Sequence, residues 1–142
     1  MRFARDVADD IQAHAREGYP FEVCGLLLRA AAGDAGRIVA ARRMPNHEQE
    51  QPRVRYVIDP LEQLRADDEA RAAGLEIAGY YHSHPDHPAR PSETDRRIAA
   101  GGLSDGVLHV VVGVQGGEQT TPSAWIFRDA GQQFEADTFE VD

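Results

Sequence analysis

Two histidines at 82 and 84, followed by a serine and an aspartate at 92 and 95, constrain the fold of this chain more than any other feature. Residues 75–82 read as a buried strand, and alternate side chains of a strand leave from one side, so His82 and His84 share a face. The loop behind them is stiffened by Pro85, Pro88 and Pro91, and a short helix is expected over 92–100. Ser92 and Asp95 stand three apart at its start and also share a face. Any fold that satisfies this segment must seat the end of a strand against the beginning of the next helix. Two imidazoles, a carboxylate and a hydroxyl can then converge. Two nitrogens and one oxygen with an open fourth position describe a catalytic zinc site, because structural zinc sites close all four positions with protein ligands. Each part has an ordinary explanation as well. Histidines at a strand end are often rim residues, and Ser92-x-x-Asp95 imitates a capping box. The combination across one proline-rich loop favours the metal.

The remaining sequence supports one mixed α/β domain over 1–142, with strands and helices interleaved and a sheet flanked by helices. An amphipathic helix is expected over 4–17, where Val7, Ile11 and Ala15 recur at helical spacing until Gly18 and Pro20. An apolar run covers 21–28 and a small-residue turn 30–36. Strands are expected over 37–43 and 53–58, separated by a polar loop around Pro45-Asn46-His47. Asp59 caps a second helix with Pro60 at its first position, running to about residue 74. Further strands are expected over 107–114, 124–128 and 132–136.

Composition narrows the function. The formal charge of −9 argues against nucleic acid as partner, since phosphate binding needs a concentrated positive surface. All fifteen basic residues are arginine, which removes lysine Schiff-base chemistry and the phosphate-binding lysine of nucleotide loops. The single cysteine, Cys24, excludes an intrachain disulfide and a cysteine-built zinc finger. Cys24 reads as inert packing. Neither a signal peptide nor a membrane span is expected, and the default location is the cytoplasm. The acids Glu135, Asp137, Glu140 and Asp142 read as a solvated tail.

Hydrolysis also needs a proton shuttle, and Glu22 is the candidate, because it interrupts the apolar run Phe21-Glu22-Val23-Cys24-Gly25-Leu26-Leu27-Leu28. With Glu22, Cys24-Gly25-Leu26-Leu27 and His-x-His-Pro-x6-Ser-x2-Asp in this order, the chain resembles the JAMM (MPN+) zinc metallopeptidases. That resemblance implies a curved mixed sheet like that of the cytidine deaminases and one zinc ion held by His82, His84 and Asp95. It further implies Glu22 as general base and then general acid, and Ser92 as a hydrogen-bond donor to the oxyanion. On this reading Asp95 is a metal ligand rather than a cap.

Two rival enzymes share some of these residues. His82-x-His84-x-Asp86-His87 also fits the pattern of the metallo-β-lactamase superfamily, but only His109 follows it as a further ligand. A zinc deaminase would require a Pro-Cys-x-x-Cys segment that is absent. A non-catalytic MPN scaffold would be expected to lose metal ligands that this chain retains. With no insertion between His84 and Asp95, and with Arg53–Pro60 in the form seen in that group, the chain resembles the bacterial stand-alone members. The implied reaction is cleavage after the C-terminal Gly-Gly of a ubiquitin-like sulfur carrier; isopeptide cleavage of ubiquitin-like conjugates is the alternative. A homo-oligomer is compatible with the sequence.

Overall fold

The apolar runs of the sequence become the middle of a six-stranded sheet. In the computed structural model, which describes every residue from Met1 to Asp142, the first half holds β1 (Arg2–Phe3), α1 (Arg5–Gly18), β2 (Cys24–Ala30), β3 (Arg37–Ile38), β4 (Ala40–Met44) and α2 (Pro60–Ala72). The second half holds β5 (Leu75–Pro85), α3 (Glu93–Gly102), β6 (Leu108–Gln115), β7 (Gln119–Arg128), β8 (Gln133–Asp137) and β9 (Glu140–Val141). The large sheet has the order β4-β2-β5-β6-β7-β8. Within this sheet only β5 and β6 are parallel; a parallel pair needs a crossover, which α3 supplies.

Both faces of the sheet are covered, which explains why Leu108–Val114 is buried without alternation. On one face Val7, Ile11 and Ala15 of α1 pack with Tyr81, Val110 and Val112. On the other, Ala66 and Ala70 of α2 pack with Leu26 and Leu28. The Tyr81 ring lies over Gly25, where a Cβ would stand 2.2 Å from a ring carbon. Glycine is therefore required in the Cys-Gly-Leu-Leu segment.

The expected layers are present, with five corrections. The strand expected over 37–43 is two, β3 pairing with β1 in a small sheet and β4 with β2 at the edge of the large one. Residues 53–58 form no strand. Asn46 holds them instead, donating from Nδ2 to the Arg55 carbonyl (3.0 Å) and accepting at Oδ1 from the Val57 amide (3.0 Å). One side chain thus supplies hydrogen bonds that a ladder would otherwise make. Strand β5 runs past His82 to Pro85, because β6 pairs with it to the end. Strand β7 begins at Gln119 rather than 124, completing a hairpin with β6. The acids at the C-terminal end are solvated as expected, but their backbone is no free tail. β9 pairs with β1, and the Arg37 guanidinium meets the Asp142 carboxylate at 2.5 Å.

Candidate metal centre

The C-terminal end of β5 and the N-terminus of α3 meet as the sequence requires. His82 Nε2 and His84 Nε2 lie 3.0 Å apart, and Asp95 Oδ2 lies 3.3 Å from the first and 3.2 Å from the second. A tetrahedral ion with bonds near 2.0–2.1 Å spaces its ligand atoms by about 3.3 Å, so this triangle has the size a zinc ion demands. The donor set of two imidazoles and a carboxylate suits the same ion. All three side chains are buried or nearly so, at 0, 8 and 9% exposure. Without a cation between them, two ring nitrogens would face each other in a site with little water to screen them.

The outer hydrogen bonds decide which ring nitrogen is free. His84 Nδ1 lies 2.9 Å from the Pro88 carbonyl, which can only accept, so Nδ1 carries a proton and the neutral ring has its lone pair on Nε2. His82 Nδ1 lies 3.0 Å from His109 Nε2. If His82 is to offer its Nε2 lone pair, its Nδ1–H must donate to His109, whose own proton then sits on Nδ1. That atom is the one buried side-chain nitrogen or oxygen left without a partner. An ion bound by His82 would fix the direction of this chain of bonds, though His109 Nδ1 stays unpartnered in either direction. Tyr56 stacks on the face of the His82 ring, with centroids 4.6 Å apart.

Asp95 does two things at once. Its Oδ2 accepts from the Ser92 amide (2.8 Å) while Ser92 Oγ accepts from the Asp95 amide (3.0 Å), a complete capping box. The expectation of ligand rather than cap is corrected: the same oxygen caps the helix and faces both histidines. Because Ser92 Oγ is an acceptor in the cap, its own hydrogen remains free to donate into the cleft.

Glu22 precedes β2 and is 5% exposed. Its backbone is fixed from two sides: its amide donates to Pro52 and Asn46 Nδ2 donates to its carbonyl. Ser83, between the two histidines, accepts at Oγ from the Val23 amide (2.9 Å), lashing the Glu22 segment to β5. Glu22, His84 and Ser92 line one cleft of about 380 Å³. Burial pushes the Glu22 carboxyl up to about 8, against the pull of His84 and with the help of Asp95. Burial also opposes the charge of Asp95, but in the metal-free protein the pull of the facing His82 and His84 rings overcomes it and holds that carboxyl well below the usual range. Burial lowers His82 and lowers His109 to about 3, so both favour the neutral ring that a metal shell needs.

The other candidates separate from this cluster. Asp86 turns away, accepting from the Tyr19 hydroxyl and the Gly116 amide, and the ligand triad omits both Asp86 and His87. Cys24 is buried, and burial pushes its thiol up to about 12, consistent with packing. Sequence reasoning found no partner for His109 and did not single out Ser83 or Asn46. A histidine in the most apolar strand was the one visible signal.

Comparison with known proteins agrees with the geometry. Residues 4–130 match the family described as prokaryotic homologs of the JAB domain. The chain is 41% identical over 104 residues to the desampylase of Haloferax volcanii, covering 70% of this chain and 73% of that one. It is 36% identical over 97 residues to the CysO-cysteine peptidase of Mycobacterium tuberculosis, covering 66% of this chain and 62% of that one. The chain thus spans a little under two thirds of the mycobacterial relative's length. A JAB1/MPN domain protein from Archaeoglobus fulgidus superposes with a TM-score of 0.62 at 20% identity, covering 99% of this chain and 98% of the other.

Proposed function

Because the chain belongs to the prokaryotic JAB-domain (JAMM/MPN) family, we propose that it is a zinc peptidase that cuts after the C-terminal Gly-Gly of a ubiquitin-like carrier protein. The observation that carries this reading is the convergence of His82 Nε2, His84 Nε2 and Asp95 Oδ2 beside a cleft that Glu22 and Ser92 also line. The names of the relatives, a desampylase and a CysO-cysteine peptidase, support a ubiquitin-like protein as substrate.

His82, His84 and Asp95 would hold the zinc. A zinc ion in such a shell supplies a Lewis acid that acidifies water to near neutrality and polarises a carbonyl. Glu22 takes one proton from the attacking water and delivers it to the leaving amine. The hydroxyl oxygen joins the glycine carbonyl carbon and the C–N bond breaks, so the products are the carrier carboxylate and a free amine. The elevated affinity of Glu22 for a proton suits a group that must hold one between these two events. Ser92 Oγ–H points its free hydrogen at the oxyanion that develops on the glycine carbonyl. An extended Gly-Gly tail has no side chain to obstruct its entry into a narrow cleft.

The test is a cleavage assay on a ubiquitin-like carrier carrying residues beyond Gly-Gly, with and without chelator, read by product mass. A chelator-sensitive cut immediately after the second glycine is expected. Bound zinc with no cleavage of the carrier would overturn this substrate, and absence of zinc would overturn the chemistry.

A further inference from the structure

Arginines in this acidic chain are mostly held by carboxylates: nine of the fifteen are in ion pairs. Arg55 and Arg90 are different. Both line the cleft shared by Glu22, His84 and Ser92, and neither guanidinium has an ion pair or a side-chain hydrogen bond. Arg55 belongs to the segment that Asn46 ties to Glu22, and Arg90 lies two residues before Ser92 in the proline-rich loop.

Resting on the peptidase reading above, we infer that Arg55 and Arg90 form a carboxylate-binding site for the leaving residue, so that the preferred bond is the α-peptide bond to a carrier's C-terminal amino acid. The geometry of hydrolysis favours it. The leaving amine must reach Glu22 to receive its proton, and in a C-terminal amino acid the α-carboxylate carbon lies only about 2.5 Å from that nitrogen. A second carboxyl group is then pressed into the cleft beside Glu22, which is unfavourable unless cations face it. Guanidinium groups match a carboxylate with two parallel N–H donors, and two unpaired ones lining the cleft supply that match. An isopeptide places the neutral alkyl chain of lysine at the same point and gains nothing from them.

The experiment uses two forms of one ubiquitin-like carrier, ending in Gly-Gly-Ala and in Gly-Gly-Ala-amide, with zinc-loaded wild type and the Arg55→Gln/Arg90→Gln double variant. Wild type is expected to cleave the acid at least about tenfold faster than the amide in kcat/KM, the worth of one charge-assisted hydrogen bond. The ratio is expected to fall to near one in the double variant, which retains its zinc because both substitutions are on the surface. Equal rates on acid and amide in wild type would overturn the carboxylate site while leaving the peptidase intact. So would a preference that survives in the double variant. No cleavage of either form by the zinc-loaded wild type would instead overturn the peptidase reading, and this inference with it.

Discussion

Glu22 and Ser92 make separable demands on the protein. Replacing Glu22 by glutamine preserves shape and leaves the three metal ligands untouched, so zinc stoichiometry should remain that of wild type while turnover falls by about 10²–10⁴-fold, the range for a general acid–base. Metal analysis and steady-state kinetics on the same sample check both halves. The same substitution changes stability in the metal-free protein. Burial raises the Glu22 carboxyl from 4.5 to about 8, so between these values the folded chain keeps a proton that the unfolded chain has released. Stability contributed by this group is present below about pH 4.5 and is lost as pH rises toward 8. The gap between wild type and Glu22→Gln in chemical denaturation should therefore move in favour of the variant by up to roughly 1 kcal/mol per pH unit across that window. A gap that does not vary with pH would place Glu22 in water. At position 92 the cap and the hydroxyl can be divided. Glycine is nearly as good an N-cap as serine, a few tenths of a kcal/mol apart, whereas alanine costs about 1 kcal/mol. Ser92→Gly should stay close to wild type in stability and still lose about 10²–10³-fold in turnover, the worth of one oxyanion donor. If Ser92→Gly turns over normally, the hydroxyl is only a cap.

At the scale of elements, the site is the seam between β5 and α3, but its alignment comes from the strands on either side. The segment leading into β2, tied to β5 through Ser83, presents Glu22, and β6 presents His109 beside His82. Replacing His109 by leucine removes the acceptor for His82 Nδ1–H and should weaken zinc binding by about 10–100-fold, the usual effect of losing such a partner. His109→Gln can place an oxygen near the position of Nε2 and should recover much of that loss. Competition with a chromogenic chelator measures both, and equal affinities for leucine and glutamine would show that His109 merely fills space. These contacts mark the limit of what sequence spacing conveys. His82, His84, Ser92 and Asp95 were legible because they are local: one strand end, one loop and one helix start fix their relation. Glu22 was legible as a charge in an apolar run. The partnership of His109 with His82 was not, because it depends on which strand lies next to β5 and in what register, which no local pattern encodes. The segment 53–58 was misread as a strand for a related reason. Its apolar alternation is real, but Asn46, well upstream, satisfies its backbone.

Over the whole molecule, the metal centre gathers parts of the chain that lie far apart in sequence. Its ligands come from β5 and α3, Tyr56 closes over His82 from the segment before α2, and His109 supports it from β6. The ends of the chain are secured elsewhere, by the small β3-β1-β9 sheet and by the stacking of Phe3 on Phe139 at 4.2 Å. That separation allows the metal's contribution to global stability to be isolated, since removing it leaves the terminal sheet and the α1 face of the core in place. The ion would bind the folded chain, where three ligand atoms are gathered, and far more weakly the unfolded one, where they are not. Linkage then adds about 2.7 kcal/mol at a free zinc concentration 100 times the dissociation constant. For a chain of this length about 1 kcal/mol corresponds to several degrees in Tm, so stripping zinc with a chelator should lower Tm by about 10 °C. Asp95→Ala should begin with a reduced Tm, having lost both the ligand and its half of the capping box, and should show little further change with chelator. Asp95→Asn retains an acceptor for the Ser92 amide but is a poor metal ligand. It should therefore regain the helix cap's share of stability and none of the chelator response. If instead wild type melts at the same temperature with and without chelator, the three buried side chains are held by the capping box and the His109 bond alone, and the metal is not part of what the fold is built around.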